Sequence, residues 1–510
     1  MSLIFRRKPL GRLLADTEKP EHQLRRTLGP VQLTLLGIGA IVGAGIFSTV
    51  GTAAAGGANH IGAGPALAIS FVMVAVACGF AALCYAEFAA MVPVAGSAYT
   101  YAYATLGELV AWLIGWDLIL EYAVSNAAVA ISWSGYFQEL LRGFGVVIPP
   151  WLGTDYRSAL QATALVAQTA AEGGDLTALA AGILRDAEAL KTAPHVLGLP
   201  IVFNLPAFGI VAVITWITLI GIRETARANS TLAIAKLAII AFFIVLGAFY
   251  VKPENWTPFA PNGFHGISSA AAIIFFAYIG FDAVSTASEE ARNPQRDMPI
   301  SIIGSLVVCT LIYVAVALVL TGMADWKTLG NSEPLAAVFR TLDMNWTAGI
   351  IAFGAVLATT SALLPFQVGQ TRIFFAMARD GLLPAWAAKV HPKWRTPHIT
   401  TILTGVFVAA FSSLANIAEL VELTNIGTLW AFILVAVGVL ILRRTDPRRP
   451  RPFRVPWVPW VPLLAVGCCL FLMFRLPWIT WVWFAGWMSA GLLIYLTFGR
   501  HRSRLREAAA

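Results

Sequence analysis

Lys236 stands in "STLAIAKLAII", and the basic residue before it is Arg227, nine positions earlier. Nine residues are roughly 13 Å of helix, enough to carry the ammonium away from the end of an apolar span. An ionisable group at bilayer depth is a functional hypothesis by default; the competing reading is a side chain that snorkels back to the interface. Asp117 and Glu121 are four apart, so a helix puts them on one face. They could carry protons, hold a cation or belong to a buried hydrogen-bond network, and the spacing leaves all three open. Glu87 and Asp282 are further carboxylates in apolar surroundings.

A second chemistry is offered by backbone. In "GIGAIVGAGIF", Gly37, Gly39, Gly43 and Gly45 crowd one short stretch of an apolar run that holds no formal charge from Thr27 to Ala86. Glycine holds a helix poorly. The stretch is expected to open and present free N–H and C=O groups, although Gly39 and Gly43 also form a GxxxG packing motif. No strand precedes these glycines, so a dinucleotide loop is not indicated. A second interruption is expected at Gly280 in "IIFFAYIGFDAVSTASEE". The N-terminus of a half-helix suits a carboxylate, and unwound carbonyls suit an ammonium group. One site with both fits a zwitterion such as an amino acid.

The elements that must position these groups are membrane helices. The chain is 58% hydrophobic and 12% charged, against about 25% charged in an average soluble domain. Apolar runs predict twelve spans, at 32–57, 65–92, 99–126, 199–222, 229–250, 267–289, 298–323, 347–375, 398–415, 419–442, 457–475 and 477–498. The fold class is therefore all-α integral membrane. Interrupted spans one and six open two consecutive sets of five, which points to an inverted-repeat transporter. The expected organisation is a cytoplasmic segment 1–31, a first repeat 32–250 with an outer loop at 139–198, a second repeat 251–442, two further spans in 443–498 and a tail 499–510. The outer loop is expected to hold one or two short surface helices.

With the N-terminus inside, 26 of the 35 Lys and Arg residues fall in inner segments. This bias orients the chain with both termini cytoplasmic in the plasma membrane, and makes the basic runs orientation signals rather than nucleic-acid patches. The segment "RRKPLGRLLADTEKP" reads as an amphipathic surface helix. All five cysteines lie inside spans with no CxxC, and no metal or cofactor motif appears. Nothing suggests a catalytic constellation, so no enzyme is expected; a nutrient receptor or channel is the alternative of a different class.

The motifs "LGIGAIVGAGIF", "FAALCYAEFAAMVPVAGSAYTYAYATLGELVAWLIGWDLILEYAV", "FFAYIGFDAVSTASEEARNPQRDMPI", "GQTRIFFAMARDGLLP" and "ELTNIGTLWAF" together resemble the bacterial cationic amino acid transporter (CAT) family of the amino acid–polyamine–organocation superfamily. The resemblance covers nearly the whole chain except 139–198. It implies a LeuT-like five-plus-five inverted repeat and secondary active import by alternating access, with proton symport. By that resemblance Gly43, Ala44 and Gly45 meet the substrate carboxylate through N–H groups. Ile41, Phe276, Ala277 and Ile279 offer carbonyls to its amine, and Phe281 is an aromatic lid. Lys236 carries the coupling proton near Thr360 and Ser361. Asp117, Glu121 and Phe366 are pocket or network candidates. The family often has threonine where this chain has Ala44, and Leu364-Pro365-Phe366-Gln367 departs from its usual aliphatic run. With no carboxylate placed at the side-chain end of the pocket, small neutral L-amino acids are expected, with arginine or lysine as the alternative. Partners are the amino acid, protons and the lipid bilayer. A small membrane-protein partner is left open, and no nucleic acid is expected.

Overall fold

The computed structural model describes residues 28–57, 60–91, 97–173, 181–221, 226–394 and 396–503. The expected N-terminal amphipathic helix and Arg223 lie outside the described residues.

The chain enters on α1 (Pro30–Ile41), started by a proline whose missing N–H costs nothing there, with Gln32 accepting from the Gly29 N–H at 2.8 Å. A π-helical turn over Gly45–Thr49 and α2 (Val50–Ala55) continue it at a 46° bend. Then come α3 (Leu67–Met91), a short α4 (Ser97–Thr105) and the long α5 (Glu108–Gly143). The segment after α5 carries α6 (Pro150–Gly153), α7 (Tyr156–Ala171), α8 (Ala181–Thr192) and a two-residue hairpin. Next are α9 (Leu205–Ile220), α10 (Ala226–Ala248) and α11 (Gly263–Ile274), the last followed by 3₁₀ segments at Phe275–Tyr278 and Asp282–Glu290. The remainder comprises α12 (Pro294–Met323), α13 (Pro334–Arg340), α14 (Asn345–Arg379), α15 (His398–Leu414), α16 (Ile417–Thr445), α17 (Trp460–Met473) and α18 (Trp478–Ile494).

Among the described residues, seven helices are long and apolar enough to cross a membrane, eight with the bent pair counted as one span. Four shorter apolar helices lie at Leu205–Ile220, Gly263–Tyr278, His398–Leu414 and Trp460–Met473. The protein is a multi-pass, all-helical membrane protein.

Two boundaries differ from the expected ones. The third span does not start at 99: Gly107, at φ +103°, ends α4, and α5 runs from Glu108 to Gly143. Only glycine reaches that backbone region without strain. At about 1.5 Å per residue the 36 residues of α5 outrun a hydrocarbon core of about 30 Å, so α5 takes its last turn from the expected loop 139–198. That loop holds three helical elements rather than one or two, with α7 capped by Asp155, which accepts from Ser158 N–H at 2.7 Å.

The helices pack in two groups. α12 contacts α1 and α3, and α3 contacts α11, while α5, α9, α14 and α15 all contact one another. α10 packs against α1, α12 and α14, and α16 against α3, α4 and α5, so these two bridge the groups. At one end of the molecule Glu87 ties α3 to α16. It accepts from Arg443 at 2.9 and 2.6 Å and from Val455 N–H at 2.7 Å, with Arg451 at 3.3 Å.

Breaking a buried ion pair from one side leaves an uncompensated charge and costs about 3–5 kcal/mol, less where a partner reaches water. Glu87 is 2% exposed and the Arg443 side chain 24%. Glu87→Ala strips three partners and Arg443→Ala one. Thermal melts in detergent should therefore show the larger fall for Glu87→Ala. Equal melting of both variants would mean that Glu87 is not the hub of this end.

Candidate functional site

The site is built where α1 stops. Val42 leaves the helix with ψ 100°, so the carbonyls before it lose their helical acceptor role. They find other partners. The Lys236 ammonium, from α10, donates to Gly39 O at 2.8 Å and Val42 O at 3.0 Å. The Tyr313 hydroxyl, from α12, donates to Ile41 O at 3.1 Å. Beyond the break, Ala44 and Gly45 start the second half-helix, where N–H groups have no intrahelical acceptor. The Thr49 hydroxyl returns to Gly45 O at 2.6 Å.

The chain opens again after Tyr278. Ile279 is extended, Gly280 takes φ +119°, and a 3₁₀ segment follows from Asp282. The Gly280 N–H donates to Asp282 Oδ1 at 3.3 Å and the Ile279 N–H to Phe276 O at 3.3 Å. Asn425 of α16 donates to Ala272 O at 2.7 Å and Ile273 O at 3.1 Å, capping the end of α11.

The two breaks touch. A Cβ on Gly45 would lie 2.3 Å from Ala277 Cα, and one on Gly280 would lie 2.8 Å from Ala40 O. Residue number rises from 40 to 45 on one chain as it falls from 280 to 277 on the other, so the segments cross antiparallel. Gly37 is likewise pressed, 2.7 Å from Val284. Gly43 is not: its nearest neighbour would be Ala362 Cβ at 3.6 Å. Packing therefore explains Gly45 and Gly280, while Gly43 faces room.

The remaining residues singled out in the sequence fall as follows. Phe281 is fully buried, with rings of Tyr85 at 5.9 Å and Phe432 at 5.0 Å; acting as a lid would require it to leave that packing. Phe276 and Ile279 are also buried. Thr360 accepts from the Trp133 indole at 2.8 Å and donates to Val356 O, and Ser361 donates to Ala358 O. Both hydroxyls are thus engaged on or beside α14. Phe366 meets the Tyr122 ring edge-on at 5.8 Å. Asp117 has both carboxylate oxygens buried without a hydrogen-bond partner among the described residues, as has Glu121 at Oε2. Gly427 makes room for Asp117, because a Cβ there would stand 2.6 Å from its Oδ1.

Three partners were not foreseen. Tyr313 and Asn425 satisfy the opened carbonyls. Ser48, just past the first break, bonds the Ser132 hydroxyl at 2.6 Å and donates to the Ser332 carbonyl, while Tyr136 donates to Phe47 O. These bonds close the second half-helix against α5 and the α12–α13 connection. At the other end, Leu28 N–H donates to Glu290 O at 3.0 Å and Arg292 N–H to Leu28 O at 2.9 Å. The two broken spans are thus joined there as well.

A start of helix carries partial positive charge and free donors, and an opened carbonyl row carries acceptors. The arrangement can hold an anion and a cation side by side. The family model for amino acid permeases matches residues 28–480. The chain is 47% identical to the branched-chain amino acid permease BcaP of Bacillus subtilis over 99% of both chains. It is 44% identical to the methylthioribose transporter of the same organism, over 99% of this chain and all of the relative. It is 35% identical to the vacuolar cationic amino acid transporter 4 of Arabidopsis thaliana, over 88% of this chain and 68% of that one.

Overpacking a tight core contact costs about 1–3 kcal/mol. Gly45→Val should accordingly lower the melting temperature clearly, whereas Gly43→Ala should leave it within a degree or so. A melt in which both substitutions destabilise alike would show that Gly43 is also held by packing.

Proposed function

The chain belongs to the amino acid permease family and is an amino acid transporter rather than an enzyme; we propose that it imports a neutral L-amino acid of branched-chain type by alternating access, in symport with protons. The observation that carries this reading is the contact between the two breaks. Gly43, Ala44 and Gly45 present helix-start N–H groups beside the carbonyls of Phe276, Ala277 and Ile279, of which Phe276 O also accepts from the Ile279 N–H at 3.3 Å. The first set receives the carboxylate and the second, with Ile41, the ammonium. Ile41 O already takes the Tyr313 hydroxyl, so the amine shares that oxygen or displaces the phenol.

Seven long helices, one bent pair and four shorter apolar helices make up the twelve passes of this reading. The two packing groups repeat at an offset of five passes, which supports the LeuT-like inverted repeat and the division at residue 251. The positive-inside bias supports cytoplasmic termini in the plasma membrane, which places 139–198 outside.

Lys236 is the coupling group on this reading. Its ammonium bridges α10 to the opened α1, and losing the proton frees the two helices to separate. Asp117 and Glu121 stand as further buried acidic groups of the network on α5.

The 47% relative carries a branched-chain name and the 44% relative a methylthioribose name. The second reading is therefore a neutral thiosugar, which has neither carboxylate nor ammonium. Cationic substrates, suggested by the 35% relative, form a third arm.

Proteoliposome uptake of labelled L-leucine should be driven by an inward proton gradient, without sodium. Unlabelled isoleucine and valine should compete, while leucine methyl ester and N-acetyl-leucine should not. Competition by methylthioribose or arginine alone would replace the neutral amino acid reading. Lys236→Met should bind leucine yet fail to accumulate it; accumulation by that variant would remove Lys236 from coupling.

A further inference from the structure

The segment between α5 and α9 has no part in the two breaks, yet it covers a cavity. This cavity, of about 430 Å³, lies between α7, α8, the first half of α16 and the α12–α13 connection, with Thr52 of α2 at its floor. That volume is within the range of small-molecule pockets. A much smaller cavity, about 10 Å³, shares Thr52, Asn331, Ser332, Ile417 and Ala418 with it and reaches Ser48 and Thr49. It has room for about one water. The large cavity thus stands over the first break, and the Ser48 bonds to Ser132 and Ser332 close the way down.

Most charged groups on its wall are already used. Asp155 caps α7, and Glu419 takes Arg157 and Gln161. Three polar groups on the wall keep capacity for a further partner. Asn331 Oδ1 is buried without a hydrogen-bond partner among the described residues. Glu422 is 2% exposed and accepts from Thr480 at Oε2. Arg185 has Glu333 at 3.7 Å and Asp186 at 3.8 Å, both beyond the 2.7–2.9 Å of a hydrogen-bonded ion pair. The guanidinium is paired with these two carboxylates, and its five N–H donors outnumber them. His60 also lines the cavity, but burial holds its pKa below the usual histidine value, so at neutral pH it is uncharged. The cation on this wall is Arg185; Lys327 is exposed, with its ammonium over the Trp326 ring.

Arg185 and Asn331 are neighbours. Gly182, one turn before Arg185 on α8, would place a Cβ 3.1 Å from Asn331 Cβ. A donor fork for a carboxylate and an orphan acceptor for an N–H therefore sit within one helical turn.

We propose that this cavity is a first binding station for the zwitterionic head of the transported amino acid, with Arg185 receiving the carboxylate and Asn331 and Glu422 the ammonium. The inference rests on the amino acid reading above. It gives α7 and α8 a function: they complete a waiting site above a closed passage, filled before the Ser48 bonds part.

The test is binding of labelled L-leucine to the full chain in nanodiscs, with uptake by the same variants. The wild type should bind two leucines, one tight and one weaker. Arg185→Gln and Asn331→Leu should each weaken the second component by about tenfold or more, keep the tight one, and raise the KM of uptake severalfold at unchanged kcat. Arg185→Lys should recover part of the loss, and melting temperatures identify any variant that has unfolded. Gly43→Leu should do the reverse, losing the tight component alone. A wild type that accumulates leucine with a single binding component overturns the station and leaves the transport reading intact. So does a weak component that survives both Arg185→Gln and Asn331→Leu. A wild type that neither binds nor transports leucine overturns both readings.

Discussion

A peptide group opened inside a bilayer has no water to turn to, so every break in a membrane helix must bring its own hydrogen-bond partners. That constraint organises the centre of this protein. The Gly39 and Val42 carbonyls are held by Lys236 of α10, Ile41 by Tyr313 of α12, and the end of α11 by Asn425 of α16. Each partner comes from a different helix, so interrupting two helices for a few residues fixes the positions of three others. The two bridging helices, α10 and α16, both spend a polar side chain on a break.

The second constraint is steric. Gly45 on Ala277, and Gly280 on Ala40, leave no room for a Cβ on either glycine. Two half-helices locked at this distance cannot tilt independently. Motion of one broken span must be carried by the other or must separate them. The pairing of Leu28 with residues 290 and 292 repeats the link at one end, while the Ser48 bonds repeat it toward the opposite cavity. Under the alternating-access reading, these are the contacts that have to form and part in turn.

What the sequence disclosed follows from the same physics. Glycines and a lone lysine inside an uncharged run violate the local rules of a membrane helix, and both breaks and Lys236 were legible for that reason. Tyr313, Asn425 and Ser48 violate nothing. A single tyrosine or serine in an apolar helix is ordinary, and the groups they serve are 272, 152 to 153 and 84 or more residues away. The third span was misplaced because Glu108, Asp117 and Glu121 are scattered singly through 99–126 and mark no boundary, and the break lies in the backbone of Gly107. The cavity under α7 and α8 was invisible for a related reason: its walls come from separate segments that meet only in the fold.

The charged groups inside the molecule divide by what compensates them. Glu87 is held by two guanidiniums, Arg443 at 2.6 Å and Arg451 at 3.3 Å, and by the Val455 N–H at 2.7 Å. Three partners from separate segments on one carboxylate suit a rigid joint. Lys236 is held at the break by the dipoles of two carbonyls. Those bonds tie α10 to the opened turn of α1. A hydrogen bond to a neutral carbonyl is weaker than a bidentate guanidinium–carboxylate pair. That asymmetry gives a physical reason for assigning the rigid contact to Glu87 and the proposed switching contact to Lys236, although both are charged residues buried in the same bundle.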